Sequence, residues 1–284
     1  MSTHSTELTV GRPRRGTIGT IFESLASLAE RRRLVWYLTM SEIRNKGANS
    51  VLGNVWWFLD PALQLFVYFL LVSVIFQQAQ PAILLFLGSA ILPWKWFSAA
   101  LASATTSVRG REQVMRQIAF PHIVLPASSV FASVANFAFA LVPLGALYLL
   151  YPDRLTPWAL AVLPVAAVQF LWTVPVVIML SAVAVFFRDV SNFIPHGLRI
   201  WFYLSPALFP LEKLQALGDQ YPWFGFFVTI NPFTWLFSGY RDALYYGRSP
   251  QWEVLGILAL ASIPATLLSV YLFRRVSPLF VKVL

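Results

Sequence analysis

Residues 83–108 read ILLFLGSAILPWKWFSAALASATTSV, and this stretch decides the class of fold. An α-helix needs about 20 mostly apolar residues to cross the hydrocarbon core of a bilayer, and the stretch exceeds that length. Its apolar residues do not alternate with a period of two, as they would in a membrane β-strand. The stretch therefore predicts a transmembrane helix, interrupted at Pro93.

The composition of the whole chain agrees with this interpretation. Of its 284 residues, 58% are hydrophobic and only 12% are charged, and the mean hydropathy is +0.66. A soluble domain carries about 25% charged residues, so an integral membrane protein is indicated. The chain has no cysteine, which excludes disulfides, thiolate zinc sites, iron–sulfur clusters and a cysteine nucleophile.

Several further apolar stretches have a similar length, and together they predict an all-α membrane protein with six transmembrane helices. The first and the fifth stretches are the shortest. The approximate bounds of the six are 62–76, 83–108, 124–151, 158–187, 193–209 and 254–273.

The segments between these stretches are alternately rich and poor in Lys and Arg. Under the positive-inside rule, this alternation places both termini in the cytoplasm. The same rule, with attraction to anionic lipid, explains the net charge of +9 without binding to nucleic acid. Residues 1–30 contain no unbroken apolar run of the kind found in a signal peptide.

The N-terminal region divides into two parts. Residues 1–16 are polar, which is typical of a disordered terminus. In residues 17–49, Ile21, Leu25 and Leu28 lie on the apolar face of an amphipathic helix. We expect this helix to lie in the cytoplasmic headgroup plane, and packing on a soluble partner is the alternative.

Two segments next to the predicted spans depart from a plain span. Residues 109–126, RGREQVMRQIAFPHIVLP, form a short amphipathic piece, which is either a lever for another protein or an ordinary interfacial loop. Residues 50–58, SVLGNVWWF, have the tryptophans of an aromatic belt. Asp60 is expected to cap a helix that starts at Pro61, and this segment either only anchors the span or gates a channel.

Lys95 lies about a dozen residues into the second span, or roughly 18 Å from its start. A bare ammonium near the centre of a bilayer costs at least about 2.5 kcal/mol. Lys95 should therefore face an internal cavity or a subunit interface. The alternative is that the span boundary is misplaced and that Lys95 reaches the interface along its own alkyl chain.

Residues 210–251 are too long and too aromatic for a plain loop. Such apolar content predicts short helices that dip back into the outer leaflet, where protein covers their backbone. The aromatic residues singled out in this segment are Trp223, Phe233 and Trp235.

Enzyme chemistry is not indicated by the sequence. The histidines His4, His122 and His196 lack metal-ligand spacing, so neither a metal site nor a catalytic residue is predicted. The lysines never occur in a Gly-Lys-Ser/Thr context, so the chain has no P-loop. If the protein drives uphill transport, its ATPase is another chain.

The order of several motifs resembles the ABC-2 type permeases that export lipid-linked polysaccharides. Each motif alone is weakly specific, but their combined order is specific and covers about residues 30–273. The motifs are SVLGNVWWFLDPALQ at 50–64, GSAILPWKWFSAALASATTSV at 88–108, QIAFPHIVLP at 117–126, FFRDVSNFIP at 186–195, YLSPALFPL at 203–211 and NPFTWLFSGYRDALYYG at 231–247.

This resemblance implies the ABC-2 exporter fold, with a permease domain over 50–284, in a bacterial inner membrane. It implies a homodimer with two copies of a separate ATPase, which would bind ATP and Mg, and no cofactor on this chain. A coupling helix at about 112–122 would dock on the ATPase, a gate helix would span about 50–59, and re-entrant helices would occupy 211–240. Arg116 and His122 depart from the family's usual Lys and Arg, which leaves the details of docking open.

The resemblance also assigns residues to these roles. The coupling residues would be Glu112, Met115, Arg116, Phe120, Pro121 and His122, and those of the gate helix Asn54, Trp56, Trp57 and Asp60. The channel or glycan contacts would be Trp94, Lys95, Trp96 and Phe97. A basic face of Arg31, Arg32, Arg33 and Arg44 can attract a lipid pyrophosphate as well as membrane lipid.

The expected function is export of a polyprenyl-linked polysaccharide, and the alternative within the family is export of drugs or other small hydrophobic molecules. The Trp-rich second span and the aromatic outer segment favour glycan. A membrane glycosyltransferase or lipid phosphatase would need clustered acidic residues or histidines, which the sequence lacks. A sensor or scaffold would leave Lys95 and the aromatic outer segment unexplained.

Overall fold

The computed structural model describes residues 28–47, 52–77, 81–117 and 120–283, except the side chains of 45–47, 54, 57, 114 and 281. The predicted disordered segment 1–16, and most of the predicted amphipathic helix with Ile21 and Leu25, lie outside the described residues.

The described chain is helical along almost its whole length. Helix α1 spans Arg32–Gly47, α2 Trp56–Phe69, α3 Ile83–Ser107, α4 Glu112–Gln117, α5 Val124–Ala146 and α6 Val162–Phe186. Helix α7 spans Val190–Leu204, α8 Leu211–Gln220, α9 Pro222–Ile230, α10 Pro232–Arg241, α11 Trp252–Val276 and α12 Phe280–Val283. Leu70–Ile75 and Asp242–Tyr246 extend α2 and α10 as π-helical turns.

Five of the described helical stretches are long and apolar enough to cross a membrane, which agrees with an all-α membrane protein. They are Phe58–Ile75, Ile83–Ser107, Val124–Leu149, Pro157–Phe186 and Trp252–Leu279. The fifth predicted span, at about 193–209, corresponds to α7 and is not among these five.

Helix α7 is shorter than the predicted fifth span. It has 15 residues, or about 22 Å, against about 30 Å for the hydrocarbon core. It ends at Leu204 because Pro206 disfavours helical backbone at Ser205, which is extended with φ −95° and ψ 157°. The sixth crossing therefore stays a prediction.

Two predicted details of the first and second spans are wrong. Helix α2 begins at Trp56 rather than at Pro61, so Asp60 lies inside the helix and does not cap it. Helix α3 continues through Pro93 without interruption. Next to Pro93, Gln169 of α6 donates a hydrogen bond to the Pro93 carbonyl at 2.8 Å, so a neighbouring helix supplies a polar contact there.

Helix α3 forms the centre of the fold. Most of its side chains are buried, and it packs against α2, α5, α6, α7 and α10. This is why residues 83–108 are apolar on every side rather than on one stripe. Helix α11 packs mainly on α6, and α1 packs on α5.

Basic segments from several helices meet at one end of this bundle. One end, called the basic end below, brings together α1 with Arg31–Arg33, the turn at Arg111, and α12 beside Arg274. At the opposite end, Tyr245 Oη donates to the Pro81 carbonyl at 2.9 Å and Tyr148 Oη donates to the Leu244 carbonyl at 2.7 Å. The fold thus gathers the basic segments at one end of the bundle.

Candidate functional site

Trp94 lies in an aromatic cluster that joins three helices. Its ring centroid is 4.8 Å from that of Phe233 of α10 and 5.8 Å from that of Trp201 of α7. Phe97, one turn further along α3, contacts the same two rings at 4.6 and 5.6 Å. Trp94, Phe97 and Phe233 are buried, so the cluster fixes α7 and α10 to α3.

Trp96 points to another neighbour but is equally buried. Its indole Nε1 donates to Ser133 Oγ of α5 at 3.0 Å, and its ring stacks on Phe137 at 4.7 Å. Trp94, Trp96 and Phe97 are thus packing residues within the subunit, and their contact with a glycan stays a prediction. Aromatic rings bury a large area when packed in a core, and sequence alone does not distinguish that use from a binding surface.

Lys95 is the least buried of the four predicted channel residues. Its Nζ lies 2.5 Å from Asp60 Oδ2 of α2, and the two side chains are 23% and 55% exposed. They border a small cavity together with Trp56 and Asn136. The ion pair provides the compensating charge that a lysine at this depth needs.

A polar cleft of about 520 Å³ continues from this cavity toward the basic end. It lies between α1, α3 and α5, and it shares Ala99 and Asn136 with the cavity beside Lys95. The polar groups that line the cleft are Glu42, Ser103, Thr106, Ser107, Arg111, Ser133 and Asn136. We call this space the polar cleft.

Glu42 closes the polar cleft at the basic end, and the sequence analysis missed it. Its Oε1 lies 3.3 Å from Arg111 Nη2 and accepts a hydrogen bond from Ser129 Oγ at 3.0 Å. Burial raises the pKa of Glu42, and the contacts with Ser129 and Arg111 partly offset this rise. A sequence signal existed, because Glu42 is the sole acidic residue in Arg32–Gly47.

The predicted coupling helix at 112–122 is shorter than expected. Helix α4 ends at Gln117, residues 118–119 lie outside the described part, and Phe120 and Pro121 are not helical. Pro121 disfavours helical backbone at Phe120, which explains why no helix reaches His122.

Within α4, one side is charged and the other is apolar. Glu112 and Arg116 form an ion pair across one turn, with Nε–Oε1 at 3.0 Å, and their side chains are 38% and 50% exposed. Met115 is buried in an apolar cluster with Val35 of α1 and Phe273 of α11. Among the described residues, this charged side of α4 is open to solvent, so another protein can contact it.

His122 connects this segment to the C-terminal tail. Its ring stacks on Phe280 of α12 at 6.0 Å and lies edge-on to Phe120 at 5.8 Å. Burial lowers the pKa of His122, and a hydrogen bond to the backbone of Ser277 partly opposes this shift. The sequence analysis missed Phe280, which is fully buried.

The predicted gate region consists of two elements. Gly53–Val55 form a 3-10 turn that leads directly into α2, so the region is continuous with the first span. Trp56 is 42% exposed and borders the cavity beside Lys95. The side chains of Asn54 and Trp57 lie outside the described part.

Asn231 holds the outer segment to α7. Its Oδ1 accepts hydrogen bonds from Trp201 Nε1 and from the Phe233 backbone N–H, both at 3.0 Å. Its Nδ2 donates to Ser205 Oγ at 2.8 Å. An Asn at the N-cap followed by Pro232 at the first helical position is a strong helix start, and here it also fixes α10 against α7.

Helices α8 and α9 form a tight hairpin before Asn231. A Cβ on Gly218 would lie 2.7 Å from the Cα of Gly225, so the two backbones touch at this pair. Of the other predicted aromatic residues, Trp223 is 68% exposed, and Trp235 Nε1 donates to the Thr229 carbonyl at 2.9 Å. The buried Phe233 belongs to the aromatic cluster described above.

Arg241, at the end of α10, is a buried cation. Its guanidinium lies 3.8 Å from the ring centroid of Phe86 and donates to the carbonyls of Ala207 and Phe209 at 2.6 and 3.1 Å. The neighbouring Asp242 instead pairs with Arg248 at 2.6 Å. Arg241 therefore fastens the connection between α7 and α8 to α10.

The predicted pyrophosphate-binding residues Arg31, Arg32, Arg33 and Arg44 are all exposed at the basic end. Arg32 borders an apolar groove of about 850 Å³ between α1 and α5, beside Trp36 and Phe131. Within the described residues, no three acidic, His or Cys side chains are grouped to hold a metal ion.

A central buried helix, several further membrane-length helices and a polar cleft among them define a multi-pass helical membrane protein. The chain belongs to the ABC-2 type transporter family, whose family model matches residues 33–245. It is similar to an O-antigen export system permease protein RfbA of Myxococcus xanthus, with 31% identity over 83% of this chain and 89% of that protein. It also resembles an RfbA of the same description from Klebsiella pneumoniae, with 24% identity over 88% of this chain and 95% of that protein.

Proposed function

We propose that this chain is the membrane subunit of an ATP-driven exporter of a polyprenyl-pyrophosphate-linked polysaccharide. The observation that carries the proposal is the similarity, over most of the chain, to permeases named for O-antigen export. In this proposal the chain is not an enzyme. Two copies would form the membrane pore, and two copies of a separate ATPase would bind ATP and Mg and drive the cycle.

In this arrangement the basic end faces the cytoplasm of a bacterial inner membrane. The gathering of the basic segments at one end of the bundle supports this orientation under the positive-inside rule. With α7 crossing the bilayer as a sixth span, both termini are cytoplasmic. Because α7 is too short to cross the hydrocarbon core alone, the segment α8–α10 would fill the remaining thickness of the bilayer.

The segment α8–α10 would be the re-entrant outer segment. Helix α10 starts beside Trp94, which is about 16 Å along α3 from its first residue, and ends at Arg241, beside the carbonyls of Ala207 and Phe209. A helix that rises from this depth to the opposite end fits a return from the bilayer interior. Helices α3, α6 and α11 pack against α10, so protein covers this segment, as a re-entrant helix inside a membrane requires.

The exposed side of α4 would be the surface on which the ATPase pushes. Glu112 and Arg116 are exposed there, while Met115 anchors the helix to α1 and α11. A Glu112→Ala or Phe120→Ala substitution should therefore uncouple ATP hydrolysis from export without unfolding the spans. Export at the full rate in both variants would exclude α4 as the lever.

The test of the function is depletion of this chain in cells that make the glycan. After depletion, we expect lipid-linked glycan to accumulate on the cytoplasmic side and surface glycan to be lost. Re-expression of the chain should restore the surface glycan. Normal surface glycan after depletion would contradict the proposal. Altered drug resistance with intact glycan would instead support the alternative, an exporter of small hydrophobic molecules.

A further inference from the structure

The polar cleft places uncharged polar side chains where a lipid-facing surface would carry apolar ones. Ser103 and Thr106 lie on the last turns of α3, and Asn136 lies about a dozen residues, or roughly 18 Å, from the start of α5. Lys95 is at a similar distance from the end of α3. Polar residues along a membrane helix mark a water-filled cavity or a substrate path, because exposure to lipid is costly.

The charges around this path cancel in pairs. At the basic end, Arg111 lies against Glu42, and at the deep end, Lys95 lies against Asp60. An anion that entered the cleft would gain attraction from each cation but would be repelled by the carboxylate beside it. The cleft therefore does not favour a pyrophosphate. The exposed arginines of α1 suit that group better, because Glu42 is the sole acidic residue within Arg32–Gly47.

The remaining lining suits a neutral group with many hydroxyls. Thr106, Ser107 and Ser133 already donate to carbonyls of their own helices, so their hydroxyls can only accept further hydrogen bonds. Ser103 adds a further hydroxyl and Asn136 an amide. At the deep end, the half-exposed Trp56 offers an indole as a flat apolar surface. The volume of about 520 Å³ falls within the roughly 300–1,000 Å³ of ligand pockets.

We propose that the polar cleft between α1, α3 and α5 binds the first sugars of the lipid-linked glycan on the cytoplasmic side of the subunit. The inference rests on the proposed function and adds the location of a substrate-binding site. Glu42 and Arg111 close the basic end of the site, and the pair Asp60–Lys95 ends it at mid-membrane. Because Glu42 belongs to α1 and Arg111 precedes α4, movement of the coupling segment would open or close the site directly.

The absence of cysteine from the chain allows a direct test. Ser103→Cys and Thr106→Cys each place one thiol in the cleft, and Asn192→Cys places one at an exposed position of α7, outside the lining. The full chain is reconstituted in lipid nanodiscs and labelled with a charged, membrane-impermeant thiol reagent. The probe is lipid-linked glycan extracted from cells that express the chain, and the control is the same extract after mild acid has removed the sugars.

We expect both cleft thiols to react with the reagent. The intact extract should lower their labelling rates about fivefold when the glycan concentration is about four times its Kd. The sugar-free extract should leave the rates unchanged, and Asn192→Cys should be insensitive to either extract. Equal slowing by the sugar-free extract would assign the cleft to the lipid or its phosphates and overturn the inference.

Two other results would also overturn it. Fast labelling that neither extract slows would describe a hydrated cleft without a ligand. Cleft thiols that never react would show that lipid or a second copy of the chain covers the cleft, and disulfide formation between two Ser103→Cys chains would identify the second copy. If depletion of the wild-type chain still strands glycan in the cytoplasm, the proposed function stands while this site fails.

Discussion

Lys95 and Asp60 form an ion pair between α3 and α2, with Nζ and Oδ2 2.5 Å apart. The pair joins the first span to the central helix at a depth where neither charge is stable alone. It also explains why a lysine is tolerated in the most buried helix of the fold.

Removing one member of this pair should cost more than removing both. Lys95→Met leaves the carboxylate of Asp60 without its cation, so we expect the midpoint of thermal unfolding in detergent to fall by several degrees. The double variant Lys95→Met with Asp60→Leu should recover part of this loss, with a coupling of about 1 kcal/mol. Strictly additive effects in the four-variant cycle would show that the contact contributes nothing.

Asn231 should be intolerant of truncation. Asn231→Ala removes the cap of α10 and leaves the Trp201 indole N–H without an acceptor, which together cost about 2 kcal/mol. Thermal unfolding of the purified chain measures this loss. Asn192→Ala, at an exposed position of α7, is the control and should change stability by less than about 0.5 kcal/mol. Similar midpoints for both variants would contradict the role of Asn231.

The α8–α9 hairpin should depend on Gly218. In Gly218→Ala the new Cβ would lie 2.7 Å from the Gly225 Cα, so the helices must separate at a cost of about 1–3 kcal/mol. Gly256→Ala in α11 is the matched control, because nothing lies within 4 Å of its Cβ and alanine favours helix there. We expect lower stability and reduced export for the first variant and neither effect for the second. A fully active and stable Gly218→Ala would mean that the hairpin adjusts freely.

His122 should make the basic end sensitive to mild acid. Its pKa is lowered in the folded protein by burial, so the folded state holds the neutral ring, whereas the unfolded state takes up a proton near pH 6.5. The contribution of the neutral His122 ring to folding stability is therefore fully present above about pH 6.5. It is lost as the pH falls through the pKa that His122 has in the folded protein. The unfolding midpoint, measured from pH 8 to pH 5, should fall less in His122→Gln than in the wild type. Parallel pH profiles would assign the acid sensitivity to other groups.

Several site residues could be anticipated in type but not in partner. A lysine inside an apolar span requires compensation, which was expected, but Asp60 was interpreted as a helix cap because Pro61 follows it. The Glu42–Arg111 contact joins residues 69 positions apart in the chain, so no local pattern indicates it. The same holds for Phe280, which is buried because the tail folds against His122, Phe186 and Phe273.

Membrane class, the positions of most helices and the gathering of positive charge at one side follow from hydropathy and charge, which are properties of contiguous segments. The family could be recognised for the same reason, since its motifs are short and stand in a given order. Which aromatic rings are buried, where α7 stops short and which carboxylate meets which cation were decided by the tertiary structure. These depend on contacts between helices distant in sequence, and a tryptophan has the same hydropathy whether it packs against Phe233 or faces a sugar.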